Sequence, residues 1–263
     1  MLNAPQIDQI IFHLGPLAVR WYGMMYLLGF VAAFFIIKRL APRRQLMLNH
    51  DTVSDLLFYI VLGVIIGGRF GYVLFYNFSY FLSHPLQIFY VWQGGMSFHG
   101  GLLGVIVATL IYCRRYAIAI LPLADILVIS VTIGLGLGRI GNFINGELWG
   151  RVTTSPLGMI FPGAGPQPRH PSQLYEALLE GPILFCLLYW LFSRKLRNGA
   201  VFFAFLIFYG VGRFIIEFFR EPDQQIGFLW GGATMGQVLC LAMILIGSGG
   251  LFWLRSRGNN AEP

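Results

Sequence analysis

A chain of 263 residues that is 57% hydrophobic and 11% charged carries too much apolar surface for a soluble domain, in which charged residues average about 25%. With a mean hydropathy of +0.69, it reads as a polytopic membrane protein. Its net charge of +7 does not point to nucleic acid, because the basic residues sit in short clusters between apolar runs, the arrangement that orients membrane helices.

A spanning helix needs about 20 mostly apolar residues. Trp21–Ile37 is the first such run; mixed residues precede it and Lys38 and Arg39 follow, so a retained helix is expected rather than a cleaved signal peptide. Leu56–Phe75 follows, with Gly63, Gly67 and Gly71 at a four-residue spacing that suits close helix packing. It carries Arg69, flanked by glycine and by Tyr72 and Tyr76. Ser97–Cys113 opens on Gly94-Gly95-Met96-Ser97-Phe98-His99-Gly100-Gly101. Leu121–Leu137, with Gly134 and Gly138 at the same packing spacing, runs straight into the polar stretch Gly138–Arg151. Thr153–Pro168 is a loop rich in proline and glycine, and Pro171 suits the first turn of the next helix. Leu174–Phe192, Val201–Phe219 and Phe228–Leu254 complete the set, the last long enough to tilt or break near Gly231-Gly232. The expected fold is all-α, one transmembrane domain over residues 1–263 with about seven spans and an outer loop region at about 142–171.

Lys38, Arg39, Arg43, Arg44, Arg114, Arg115, Arg194, Lys195, Arg197, Arg255 and Arg257 fall after the first, third, fifth and seventh runs. Seven spans put all eleven on one side, which the positive-inside rule makes the cytoplasm. The amino terminus is then outside and the carboxyl terminus inside. The other seven basic residues, Arg20, Arg69, Arg139, Arg151, Arg169, Arg213 and Arg220, are all arginine. They fall within apolar segments or toward the outer side, where topology does not ask for them. Guanidinium forks match phosphate oxygens bidentately, and a phospholipid head group is the phosphate at that depth.

Polar clusters at membrane depth are costly unless a ligand or partner meets them, and Gly138–Arg151 holds two arginines, two asparagines and a glutamate. Arg139 reads either as an anion ligand or as a structural partner of Glu147 or Asp125. Arg213 has Glu217 one turn later on the same helix face. His99 can exchange a proton near neutral pH, or be a buried histidine bonded to a carbonyl. His170-Pro171-Ser172-Gln173 reads as a loop-to-helix junction. Cys113, Cys186 and Cys240 lie in apolar runs and imply no disulfide framework. The scattered histidines imply no metal, and no cofactor is expected. The residues alone admit an enzyme, a lipid transporter or a lipid-binding scaffold; a transporter would favour inverted repeats, and none is visible.

The motifs Trp21–Tyr26, Gly67–Asn77, Gly94–Gly101, Gly138–Arg151, Arg169–Glu176 and Tyr209–Arg220 together resemble bacterial prolipoprotein diacylglyceryl transferases, in the same order over nearly the whole chain. The resemblance implies an inner-membrane enzyme of lipoprotein biosynthesis with a periplasmic amino terminus, a cytoplasmic carboxyl terminus and an active site toward the periplasm. It implies transfer of the diacylglyceryl group of phosphatidylglycerol to the lipobox cysteine of a prolipoprotein. His99, Arg139 and Arg213 match the family's catalytic positions, with His99 as base. Arg139 and Arg213, with Tyr22, Asn142, Glu147 and Gly150, match positions on which lipid binding relies, and Arg69 and Tyr76 are expected beside them. The expected partners are phosphatidylglycerol, the prolipoprotein signal peptide and the bilayer.

Overall fold

The computed structural model describes residues 2–15, 17–194, 196–221 and 229–259. Its helices are α1 (Trp21–Leu40), α2 (His50–Phe75), α3 (Phe78–Ser83), α4 (Phe98–Arg115), α5 (Ile120–Asn145), α6 (Ser172–Leu178), α7 (Leu184–Ser193), α8 (Ala200–Ile216) and α9 (Met235–Asn259). Five helical stretches among the described residues are long and apolar enough to cross a membrane: Trp21–Arg44, His50–Phe75, Ile120–Asn145, Ser172–Ser193 and Met235–Arg257. α8, with 17 residues, is a shorter apolar helix. The helices expose large apolar side chains such as Phe35, Phe58, Leu245 and Phe252, as a lipid-facing surface requires. The described residues are mostly helical, as expected of an all-α membrane protein, with two small two-stranded sheets beside the helices. Strand β1 (Leu2–Asn3) pairs in parallel with β4 (Met159–Ile160), and β2 (Ile10–Leu14) pairs antiparallel with β3 (Leu17–Arg20).

The chain forms two compact units, Lys38–Leu123 and the remainder, Met1–Ile37 with Ala124–Pro263. In the smaller unit α2 and α4 pack antiparallel along the glycine row seen in the sequence. A methyl at Gly63 would stand 2.6 Å from the Gly104 carbonyl oxygen, and one at Gly71 would stand 2.7 Å from Gly100 Cα. α2 starts one and a half turns before its apolar run, because Asn49 Oδ1 accepts the Thr52 N–H at 2.8 Å, an N-cap that hydropathy does not register. In the larger unit Gly134 faces Gly29 of α1, whereas no neighbour lies within 4 Å of a methyl built at Gly138. Of that expected pair, only Gly134 makes a helix crossing.

Two more boundaries differ from the apolar runs. α5 continues to Asn145, so the polar stretch up to that residue is helical. The run expected to begin at Phe228 starts outside the described residues, and α9 begins at Met235. Gly231 and Gly232 ahead of it have φ of +70° and +77°, so the expected break is present. Thr234 and Gln237 then form a reciprocal cap. Thr234 Oγ1 accepts the Gln237 N–H at 3.2 Å and Gln237 Oε1 accepts the Thr234 N–H at 3.0 Å, the capping-box pattern.

Asp125, fully buried on α5, caps α8. Its carboxylate accepts the Gly199 N–H at 2.9 Å and the Phe202 N–H at 2.8 Å. A carboxylate at a helix N-terminus satisfies orphan donors and favours the helix dipole. Asp125→Ala should lower stability by about 0.5–2 kcal/mol, read as a lower thermal midpoint in detergent with an unchanged KM for lipid.

Candidate active site

Glu176 of α6 lies at the centre of the larger unit's polar cluster. The helix carrying it begins at Ser172 after Pro171, and beyond Leu178 it widens into a π turn, Leu179–Ile183, containing Pro182. Pro182 has no N–H to donate and its ring opposes regular helix. At the same turn Gly181 leaves helical geometry (φ −89°, ψ −106°) and packs on Gly136 of α5. Such turns recur at functional sites. Glu176 and Glu180 are 1% and 2% exposed.

Three arginines meet these carboxylates. Arg139 Nε is 2.7 Å from Glu176 Oε2 and donates to Glu180 Oε2 at 3.2 Å. Arg213 Nη1 is 2.8 Å from Glu176 Oε1, and its Nη2 is 2.9 Å from Glu217 Oε2. Arg220 Nη1 donates to Glu176 Oε1 at 3.3 Å. Thr234 Oγ1, already the cap of α9, donates to Glu217 Oε1 at 3.0 Å. Tyr209 of α8 lies within electrostatic reach of Arg139, Arg213, Glu176 and Glu180. Three guanidinium groups thus face three carboxylates within the protein.

The structural partners first considered for Arg139 are not its partners. Asp125 caps α8, and Glu147 closes the turn after α5 instead. Glu147 Oε1 accepts from Asn142 Nδ2 at 2.9 Å and from Asn145 Nδ2 at 3.1 Å. Gly146 and Leu148 take positive φ on either side of it. Gln173 Nε2 and Ser172 Oγ then hold the carbonyls of Glu147 and Leu148. The Arg213–Glu217 pair expected from their spacing is present. Among the described residues the ion pairs of Arg139 use Nε, and its side chain is 19% exposed, so its two terminal nitrogens are not engaged by those pairs.

Tyr22 of α1 packs against Gly141 of α5, where a methyl would stand 3.0 Å from its ring. Its hydroxyl exchanges a hydrogen bond with that of Tyr26 at 3.2 Å, and it lies within electrostatic reach of Arg139 and Glu147. Gly150 is buried between two backbones. Its N–H donates to the His170 carbonyl at 2.8 Å, and a methyl there would stand 2.8 Å from His170. The close approach therefore demands glycine, and within this unit Gly150 is a packing position. Arg151 and Arg169 brace the same crossing. Arg151 Nε donates to the Arg220 carbonyl at 2.8 Å, and Arg169 pairs with Glu221 at 3.0 Å. The His170 ring packs edge-on to Phe219, and burial lowers its pKa below the usual imidazole value.

Arg69, Tyr76 and His99 belong to the smaller unit. Arg69 is 5% exposed. Its Nε donates to the Ile88 carbonyl at 2.8 Å, Nη1 to Gly94 at 2.6 Å and Gly95 at 3.2 Å, and Nη2 to Gln87 at 2.6 Å. These four hydrogen bonds to backbone carbonyls tie the segment after α2 to this guanidinium. Tyr76 is exposed just past the end of α2 and stacks on Tyr72 at 5.6 Å. His99 is exposed in the first turn of α4, whose N-cap Ser97 accepts the Gly100 N–H at 3.2 Å.

The family model for prolipoprotein diacylglyceryl transferase matches residues 9–253. The chain belongs to that family. Similar proteins include the phosphatidylglycerol–prolipoprotein diacylglyceryl transferases of Geobacter sulfurreducens, 58% identical over 94% of this chain and 95% of its own, and of a Coxiella burnetii strain, 56% identical over 96% and 97%. That of a Vibrio cholerae serotype O1 strain is 52% identical over 98% and 95%.

Within this diacylglyceryl transferase, sequence reasoning assigned no role to Glu176 and Tyr209, though both lie in the motifs that carry the resemblance, nor to Glu180 and Thr234. A signal existed for Glu176 and Glu180: acidic residues four apart inside an apolar segment need a charged partner at membrane depth. For Thr234 the signal was the Thr-x-x-Gln spacing to Gln237, a capping-box pattern; its bond to Glu217 depends on the fold.

Proposed function

We propose that this membrane enzyme moves the diacylglyceryl group of phosphatidylglycerol onto the thiol of a prolipoprotein's lipobox cysteine, the first step of bacterial lipoprotein maturation. The sulfur attacks the glycerol carbon that bears the phosphate. A carbon–sulfur bond forms, the carbon–oxygen bond to phosphate breaks, and glycerol phosphate leaves. The thiol proton passes to a base, because the thiolate is the reactive nucleophile. The phosphodiester arrives with one negative charge and the monoester departs with two, so the site must answer an added charge.

The observation that carries this reading is the hold on Arg139. Glu176 and Glu180 fix it by Nε, which leaves its terminal nitrogens to meet phosphate oxygens. Preorganised donors of this kind stabilise charge that develops in the transition state. Arg213, committed to Glu176 and Glu217, adds positive charge and holds the carboxylates in place. Tyr22, Asn142 and Glu147 border the lipid, and Gly150 keeps the surrounding backbones close. Tyr76 meets the lipid at the membrane interface, and Arg69 positions a loop. His99 is the base in this reading, supported by its exposure and by the family resemblance.

The same reading gives α4 and α8 spanning roles beside the five longer stretches. That makes seven spans in the bacterial inner membrane, with a periplasmic amino terminus, a cytoplasmic carboxyl terminus and transfer on the periplasmic side. Seven spans would gather eleven of the basic residues on one side, the pattern the positive-inside rule expects of a cytoplasmic face, which supports the reading.

Purified protein incubated with phosphatidylglycerol and a lipobox peptide should add a diacylglyceryl mass to the cysteine. Movement of lipid without that covalent product would replace this reading with a transporter. His99→Ala should insert normally and slow transfer by about 10²–10⁴-fold, the usual cost of losing a base; an unchanged rate would remove His99 from the mechanism.

A further inference from the structure

Between α2 and α4 lies a segment, residues 76–97, whose exposed side chains are largely big apolar ones, interspersed with Asn77, Ser79, Ser83, His84 and Gln93. Phe78, Leu82, Leu86, Phe89 and Trp92 expose between 51% and 74% of their surface. An apolar face of this size on a short connection between helices needs something to cover it. Three observations point to the same cover.

The first is continuity. α2 is long and apolar enough to span, and α4 packs antiparallel to it with Gly71 against Gly100. The end of α2 and the start of α4 therefore stand at one membrane level, and the segment joining them is held at that level. The second is charge. No Asp, Glu, Lys or Arg occurs from Phe70 to Cys113, whereas a loop bathed in water would carry some. Aromatic residues with polar edges, including Tyr80, Tyr90 and Trp92, populate it instead, as they do at head-group depth.

The third is the backbone. Irregular chain enters the hydrocarbon region only where its polar groups are satisfied. Successive tight turns pair many of them: the N–H groups of His84, Gln87, Tyr90 and Gln93 donate to carbonyls three or four residues back. The carbonyls of Ile88, Gly94 and Gly95 accept from Arg69, which also holds that of Gln87. The buried arginine on α2 satisfies the part of the loop that no helix could.

We infer that residues 76–97 form an interfacial anchor that lies in the bilayer leaflet at the Phe75 end of α2, apolar side chains among the acyl chains, with Arg69 as the residue that lets a non-helical segment sit there. This rests on α2 crossing the membrane and is independent of the transfer reaction.

The test uses full-length protein with Cys113, Cys186 and Cys240 replaced by alanine and one new cysteine, Leu86→Cys or Phe89→Cys, spin-labelled in phosphatidylglycerol-containing vesicles. Collision with oxygen should exceed collision with a water-soluble nickel chelate severalfold, as for a label at the exposed, mid-helix Phe58. Chelate access equal to that of a label at Met47, in a turn between helices, would overturn the proposal. A label closed to both reagents would also overturn it, because a protein contact would then cover the face. A second measurement needs no cysteine changes. Brominated phospholipids should quench the wild-type protein more than Trp92→Phe, and equal quenching would count against the anchor.

Discussion

Arg139→Ala should remove transfer by a factor of about 10²–10³, the cost typical of losing one preorganised donor to a developing anion. The same change has a second effect. It leaves Glu176 and Glu180, buried and adjacent, without the cation that both contact. Glu176 keeps Arg213 and Arg220, but Glu180 loses the arginine it pairs with, and a buried carboxylate is costly to keep charged without a partner and beside another. Lost activity in this variant alone would therefore mix chemistry with structure. Arg139→Lys separates them. An ammonium keeps the positive charge near the pair but lacks the planar fork that holds carboxylate and phosphate at once. The lysine variant should recover most of the thermal stability lost by the alanine variant and little of the transfer. Mass spectrometry of the peptide product and thermal unfolding in detergent, run on both variants, read the two effects. A well-folded Arg139→Ala protein with normal turnover would end the role assigned to this arginine.

The apolar runs were legible because burial in lipid demands an unbroken stretch of such residues, and runs such as Trp21–Ile37 and Leu121–Leu137 fall within helices of the structure. What hydropathy could not register was how those helices begin and end. Asn49, Asp125 and Thr234 decide three helix starts through hydrogen bonds; the first and last cap N–H groups three residues on, which hydropathy does not register, and the partner of Asp125 lies 74 residues away, which leaves no periodic trace. The arginines were conspicuous as charges where none was needed, and three of them do converge. The sequence could not say on what. Phosphate and a protein carboxylate both suit a guanidinium, and only the fold brings Glu176 within 3.3 Å of Arg139, Arg213 and Arg220 together. Arg69 illustrates the same ambiguity with another outcome, because backbone carbonyls, present in every sequence, absorb its donors.

Glu176→Gln tests whether that convergence positions Arg139 or merely fills space. The substitution keeps size and shape but removes the negative charge, leaving three arginines against Glu180 and Glu217. The amide also carries hydrogens on one of its two faces, and these oppose an arginine N–H where the carboxylate accepted one. Breaking a buried charge network costs on the order of 3–5 kcal/mol, so the thermal midpoint should fall. A residue that only filled space would reduce the folded fraction and leave the KM of the folded enzyme alone. A positioning residue predicts a split. Excess positive charge at the site should hold the anionic lipid at least as tightly, keeping KM for phosphatidylglycerol level or lower. kcat should fall, because Arg139 loses one of the two carboxylates that aim its terminal nitrogens and binding no longer favours the transition state over the bound lipid. Glu176→Asp should restore part of the stability but little of kcat, because a side chain one methylene shorter cannot reach all three guanidinium groups. Wild-type kcat, KM and thermal midpoint in Glu176→Gln would show that Arg139 is aimed by something else.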